Sequence, residues 1–156
     1  MMDLFLESLF PRLAGTEYEI TSPRTIEYNC VAWAADNCSK WWWPDPFGQY
    51  FWPSGVPREI SVESFVWAFR REGYEPCGSL ELEPEYDKVA ILVSGSGQPT
   101  HMVRQLDNGA WTSKLGRLED ITHSDARDVE GTEYGKIVEV LRRKRRVAAT
   151  ISEARD

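Results

Sequence analysis

The chain contains few cysteines and histidines: three cysteines and two histidines among 156 residues. Cys30, Cys38 and Cys77 form an odd set without CxxC spacing, which argues against a disulfide framework and a zinc ribbon. A zinc site that combined them with His101 and His123 would lack every usual ligand spacing. We therefore expect free thiols in a reducing compartment, with no metal and no cofactor.

The chain also lacks a long apolar run and an excess of basic residues. No segment approaches the roughly 18 to 20 apolar residues that a membrane-spanning helix needs, and the start lacks the basic region and apolar core of a signal peptide. The net charge of -7 gives a nucleic-acid role no overall electrostatic support. The run Arg142–Arg146 is a local exception, which we interpret as a solvated tail. The sequence thus predicts a soluble cytoplasmic protein that binds neither nucleic acid nor membrane.

Apolar spacing and capping residues predict three helices, over Asp3–Phe10, Cys30–Asn37 and Ser61–Arg71. The second is apolar on nearly all sides, which is typical of a helix in the middle of a core. Gly15–Ile26 is polar and indicates an irregular approach to that helix, and the polar segment with Asp120 and His123 also indicates a loop. The predicted strands are Tyr74–Pro76, Val89–Val93, His101–Leu106, Ala110–Lys114 and Lys136–Leu141.

This order, helices first and then a run of antiparallel strands, indicates an α+β fold. The length favours a single domain over residues 1–156. We divide it into an N-terminal extension (1–27), a core (28–142) and a basic, polar tail (143–156).

A Trp-rich loop, Ser39–Pro57, follows the second helix. Its density of proline and glycine forbids a long helix or a central strand, so we expect an ordered loop held by its own rings. At least two of its indoles should pack against the cysteine helix, and at least one should stand beside the thiol as a groove wall. The candidate ligand-binding residues are Asn29, Trp42 and Trp43; packing and recognition are both open uses for these rings.

Cys30 lies where the extended segment Thr25–Tyr28 turns into a helix, with Asn29 at the N-cap position. Unpaired N–H groups and the helix dipole at such a position favour thiolate over thiol. His101 begins an alternating strand that runs into an Asn108-Gly109 turn. Cys30 and His101 are therefore the candidate catalytic pair, although a single cysteine in an Ala-rich helix also suits a buried structural role.

Three sets of residues carry a resemblance to a known superfamily. They are Asn29-Cys30-Val31-Ala32-Trp33, the strand Lys88–Leu92, and Thr100-His101-Met102-Val103 leading to Asn108-Gly109. This combination resembles the permuted papain-like cysteine hydrolases, which include NlpC-type and CHAP peptidases and amidases. The resemblance implies a papain-like, NlpC-like core in which the cysteine helix packs on an antiparallel sheet.

A closer similarity is to a little-described bacterial domain family of the same group, over about Tyr28 to Arg142. It is carried by Tyr28-Asn29-Cys30 with Ala32-Trp33-Ala34, by Trp111-Thr112-Ser113-Lys114-Leu115-Gly116, and by Asp120-Ile121-Thr122-His123 with Tyr134-Gly135.

An imidazole that serves as a base needs a third residue to orient it, and the superfamily places this group on the strand paired with the histidine strand. If the hairpin closes with a three-residue loop, Asp107–Gly109, Ser113 lies on the same side as His101. With a two-residue turn, Lys114 takes that side and cannot orient an imidazolium. Ser113 is the first candidate, and Asp120 is the alternative.

The leading hypothesis is a cysteine hydrolase that cleaves a peptide or amide bond through a thioester at Cys30, with His101 as base and acid. It predicts that the Cys30 sulfur and a His101 ring nitrogen lie within roughly 4 Å. The alternatives are a non-catalytic binding module of the same fold that uses the Trp-rich loop, and a toxin or effector domain with the same dyad.

Overall fold

A computed structural model of the chain describes residues 3–145. Their centre is one antiparallel sheet of seven strands, in the spatial order β1-β6-β5-β4-β3-β7-β2. The strands are β1 (Tyr18–Ser22), β2 (Glu75–Pro76), β3 (Tyr86–Val93), β4 (Pro99–Gln105), β5 (Trp111–Lys114), β6 (Asp120–His123) and β7 (Lys136–Lys144). The expected α+β class with an antiparallel sheet is confirmed.

Three α-helices accompany the sheet: α1 (Leu4–Leu9), α2 (Cys30–Ala34) and α3 (Val62–Arg70). Each begins after a polar residue, Asp3, Asn29 or Ser61, whose side chain accepts a hydrogen bond from a backbone N–H of the first turn. Within the described range, no helix is long and apolar enough to cross a membrane.

The cysteine helix is shorter than the expected Cys30–Asn37. Asp36 adopts a left-handed conformation (φ 62°), so the backbone can no longer continue the helix. The N–H of Asn37 then bonds back to the carbonyl of Ala32 at 2.8 Å, which closes the C-terminus. The helix α2 is therefore little more than one turn, and its dipole is correspondingly weak.

Two strands lie where the sequence predicted irregular structure. The strand β1 falls inside Gly15–Ile26 and pairs with β6, whose residues Asp120 to His123 were interpreted as a loop. Part of the segment that was expected to form an N-terminal extension is therefore a strand of the same sheet as the core. Leu6 and Phe10 agree with this, since both are buried in one of the two hydrophobic clusters.

The last strand is also longer than predicted, because β7 continues to Lys144. Three arginines of the supposed solvated tail form ion pairs with carboxylates of the segment 83–87: Arg142 with Glu83, and Arg143 and Arg145 with Asp87. Arg146 and the residues after it lie outside the described range.

The two faces of the sheet carry separate hydrophobic clusters. One contains α2, α3 and the Trp-rich loop against Val89, Ile91 and Met102. The other contains α1 and the segment after it, against Leu92 and Val103. Because successive strand residues point to opposite faces, Met102 belongs to the α2 face and its neighbours His101 and Val103 to the α1 face.

The β4–β5 hairpin closes with the three-residue loop Asp107–Gly109. Arg104 is opposite Thr112, and the N–H of Leu106 bonds to the carbonyl of Ala110 at 2.7 Å. Of the two turns left open by the sequence, this one places Ser113 on the His101 side. Lys114 accordingly faces α2.

Candidate functional site

Cys30 is the first residue of α2, and the side chain of Asn29 caps the start of this helix. The Asn29 side-chain oxygen accepts from the N–H of Ala32 at 3.2 Å and from the N–H of Trp42 at 3.0 Å. Its amide nitrogen donates to the Trp42 carbonyl at 2.7 Å. One side chain therefore caps the helix and ties the Trp-rich loop to it through both ends of its amide group.

Cys30 lies at one side of a pocket of about 310 Å³ whose walls are mainly aromatic. Trp41, Trp43, Tyr50 and Tyr134 supply the rings. None of the described lining residues carries a formal charge. The pocket therefore suits an uncharged, flat group better than an ionic one.

The thiol of Cys30 is protonated at neutral pH. Burial raises its pKa to about 11, against the opposing backbone N–H groups of Met102, Val31 and Cys30 itself. The expectation of a lowered pKa at a helix start is therefore wrong. Only 5% of the residue is exposed, and the one-turn helix cannot offset the loss of hydration of a thiolate.

His101 is fully buried, and within the described part of the chain neither ring nitrogen has a hydrogen-bond partner. Its ring stacks on Tyr134, with centroids 4.0 Å apart and planes 2° from parallel. Burial, assisted by nearby His123, holds the His101 pKa well below its usual value. The ring is therefore neutral and is held by packing and stacking.

A Cys30–His101 hydrogen bond is not formed, since neither His101 nitrogen has a partner among the described residues. Cys30 packs on the face of β4 to which Met102 belongs. His101 is opposite Leu92, which belongs to the cluster on the other face. The preformed dyad expected from the sequence is therefore corrected: the two residues meet at the same strand but from opposite sides.

Ser113 bonds to the other histidine. Its hydroxyl lies 2.8 Å from Nε2 of His123, while Nδ1 of His123 lies 2.8 Å from the carbonyl of Asp125. Since a carbonyl only accepts, Nδ1 carries the proton and Nε2 accepts from the serine. Ser113 thus does not orient His101, and His123 lies on β6 rather than in a loop, although it does bond to backbone as expected.

Asp120 is buried on the α2 face and is bound to two hydroxyls. Tyr28 and Thr21 each donate to it at 2.5 Å. Burial, followed by the hydrogen bond to Asp120, raises the Tyr28 pKa to about 12. The alternative role of Asp120 as an orienting group for His101 is therefore also wrong: it anchors the segment that leads into Cys30.

The Trp-rich loop packs as expected. Trp42 and Trp52 are buried in the same cluster as the cysteine helix, and Trp41 and Trp43 line the pocket beside the thiol. Trp42, one of the candidate ligand-binding residues, packs in the core and is not among the residues that line this pocket. Asn29 borders the pocket, but its hydrogen bonds are structural.

The predicted site residues did not include three aromatic residues that line the pocket, Trp41, Tyr50 and Tyr134, or the buried Lys114. Nothing in the sequence distinguished Trp41 from its neighbours, and Tyr50 and Tyr134 had no periodicity to mark them. Lys114 lies near both Cys30 and Asp120, and burial lowers its pKa. Its ammonium donates to backbone carbonyls, so it is occupied as a structural donor.

A metal site is not among the features of residues 3–145: no three His, Cys, Asp or Glu side chains are grouped closely enough to hold an ion.

A family model described as a domain of unknown function (DUF7689) matches residues 19–142. No curated protein and no solved structure is significantly similar to the chain. The matched range includes Cys30, the Trp-rich loop and all of the strands except the last two residues of β7 and the first of β1.

Proposed function

The chain belongs to the family described as a domain of unknown function (DUF7689), so its role must be inferred from its own side chains, and we propose that it is a binding module. Its ligand site is the pocket beside Cys30, and its ligand presents a flat, uncharged, aromatic or apolar group. The observation that carries this proposal is the lining: four aromatic side chains and a thiol that is neutral at physiological pH border the same pocket.

The pocket wall is held rigidly, which reduces the entropy lost when a ligand binds. Asp45 accepts from the N–H groups of Gln49 and Tyr50 at 2.8 and 3.0 Å. Arg58 bonds to the same carboxylate at 3.2 Å and to the Tyr50 carbonyl at 3.0 Å. Tyr50 itself remains 38% exposed, so a ligand can reach its ring from solvent.

Titration with p-cresol, a neutral aromatic probe, tests this proposal. We expect saturable binding that shifts the indole N–H resonances of Trp41 and Trp43 in NMR spectra. Trp41→Ala should weaken binding roughly tenfold, because it removes one stacking surface. Trp67→Ala is the matched control: that indole is 51% exposed on α3, outside the pocket, and its loss should leave the affinity unchanged. Equal affinities for wild type and Trp41→Ala would refute the site.

A second candidate is a cysteine hydrolase of papain-like fold, acting on a peptide or amide bond. It is favoured by His101, which is buried and whose two ring nitrogens have no hydrogen-bond partner within residues 3–145. Burying such groups without partners is costly, which favours a functional role for this residue. The backbone N–H groups around the Cys30 sulfur would serve a developing negative charge.

In this second proposal Cys30 attacks the carbonyl carbon and forms a thioester, and His101 takes the thiol proton and gives it to the leaving amine. The imidazole would first have to leave its stack on Tyr134 and reach the α2 face. A toxin or effector domain with the same Cys30–His101 pair would need the same movement of the His101 ring. The reactivity of Cys30 separates both from a binding module.

A further inference from the structure

A second pocket, of about 560 Å³, lies beyond the C-terminal end of α2 and contains three arginines. They are Arg104 on β4, Arg143 on β7 and Arg145 just after β7. Three converging guanidinium groups stand out in a chain whose net charge is -7. The pocket lies apart from Cys30 and shares none of the residues that line the aromatic pocket.

Arg104 is fixed in place but has few partners. Its Nε donates to the carbonyl of Trp33 at 3.1 Å, and its guanidinium lies over the Trp33 ring at 5.2 Å. Its one ion pair within the described range is long, 3.9 Å, and is made with Asp36, whose side chain is 76% exposed. The remaining N–H groups of a rigid cation are therefore available to another acceptor.

Arg143 and Arg145 both form ion pairs with the carboxylate of Asp87. Asp87 accepts from Arg143 at 3.1 Å and from Arg145 at 3.2 Å. Arg145 also reaches Asp107 at 3.4 Å, but the Asp107 side chain is 88% exposed. Formal charges in the lining balance, but the side chains of Asp36 and Asp107 are both largely exposed, so their ion pairs with Arg104 and Arg145 are weak.

We infer that this pocket binds a small oxyanion of the phosphate class. Guanidinium groups present planar pairs of N–H donors that match phosphate oxygens, and their positions here are set by Trp33 and Asp87 rather than by the ligand. An anion would replace Asp36 at Arg104 and Asp107 at Arg145, and these exposed carboxylates can turn into solvent. The site is independent of the proposed aromatic ligand.

Calorimetric titration with inorganic phosphate at low ionic strength and neutral pH tests this inference, since salt screens such contacts. We expect saturable binding of one phosphate per chain. Arg104→Ala should weaken it roughly tenfold. Asp36→Asn and Asp107→Asn, which remove competing charges at exposed positions, should each tighten it severalfold, by about the effect of one solvated ion pair.

Arg12→Ala is the matched control, because it removes an exposed arginine that pairs with Glu130, a residue outside the pocket; its affinity for phosphate should equal that of wild type. Absence of saturable binding to the wild-type chain would overturn the inference. So would binding that neither Asp36→Asn nor Asp107→Asn tightens, a result that does not depend on whether Arg104→Ala folds.

Discussion

Gly135→Ala is expected to lower the free energy of unfolding by roughly 4 kcal/mol, among the largest losses that one methyl group can cause. A Cβ at this position would lie 1.8 Å from the backbone oxygen of Val93 and 2.7 Å from its carbonyl carbon. The contact is with β3 backbone, which cannot move aside cheaply. Gly135 also has φ 81°, which adds the strain of a left-handed alanine. Equilibrium unfolding in urea measures the change.

Gly97→Ala separates the two contributions. Gly97 has nearly the same φ, 87°, but a Cβ added there would meet no atom within 4 Å. Its substitution should cost only about 1 kcal/mol, the contribution of the backbone conformation alone. Similar losses for both variants would contradict the close approach of Gly135 to Val93. Because Gly135 follows Tyr134, its substitution should also abolish p-cresol binding at the aromatic pocket.

Lys114→Met is expected to destabilise the fold by roughly 3 to 5 kcal/mol, the summed cost of several buried acceptors left unpaired, while keeping nearly the length of the side chain. The ammonium donates to the carbonyls of Thr25 at 2.9 Å, Gly116 at 2.6 Å and Leu118 at 2.5 Å. Methionine would leave these acceptors without their donor in a site that is closed to solvent. Thermal and urea unfolding report the loss.

Lys136→Met is the control for the removal of a positive charge. Lys136 is an exposed residue at the start of β7, so the change should stay within about 0.5 kcal/mol. If both variants were equally stable, the hydrogen bonds by which Lys114 connects the segment before α2 to the β5–β6 turn would not contribute to the free energy of unfolding.

Local signals in the sequence were sufficient for the helix starts and one hairpin. Asn29 and Ser61 marked two helix starts because capping depends on a residue and its near neighbours. The pairing of β4 with β5 likewise follows from a short turn. The sequence did not decide whether the β4–β5 loop has two residues or three. The observed register, with Arg104 opposite Thr112, shows that it has three.

Strands β1 and β6 could not be predicted from the sequence because their buried polar residues form hydrogen bonds with residues that are distant in sequence. Asp120 looks like a loop residue, yet Thr21 and Tyr28 satisfy it within the folded chain. Such long-range hydrogen bonds leave no periodic pattern in either segment. The same limit applies to Lys114, whose acceptors come from two separate segments of the chain.

The expected hydrogen bond between Cys30 and His101 is missing for a related reason. Alternation along β4 was visible in the sequence and separates His101 from Met102. The sequence could not show which of those faces α2 covers, and a helix that covers the Met102 face puts Cys30 on the side away from the imidazole. Resemblance to the papain-like hydrolases suggested the pairing, and the geometry of this chain does not preform it.

The rate at which iodoacetamide alkylates each cysteine, followed by mass spectrometry from about pH 6 to about pH 10, decides between a binding module and a thiol hydrolase. A neutral, buried Cys30 with a pKa of about 11 should react at neutral pH far more slowly than exposed Cys38, and its rate should still be rising at the top of the range. His101→Leu should leave that profile unchanged. A Cys30 that reacts faster than Cys38 at neutral pH, and loses this advantage in His101→Leu, would contradict the binding-module proposal and establish the thiolate–imidazolium pair.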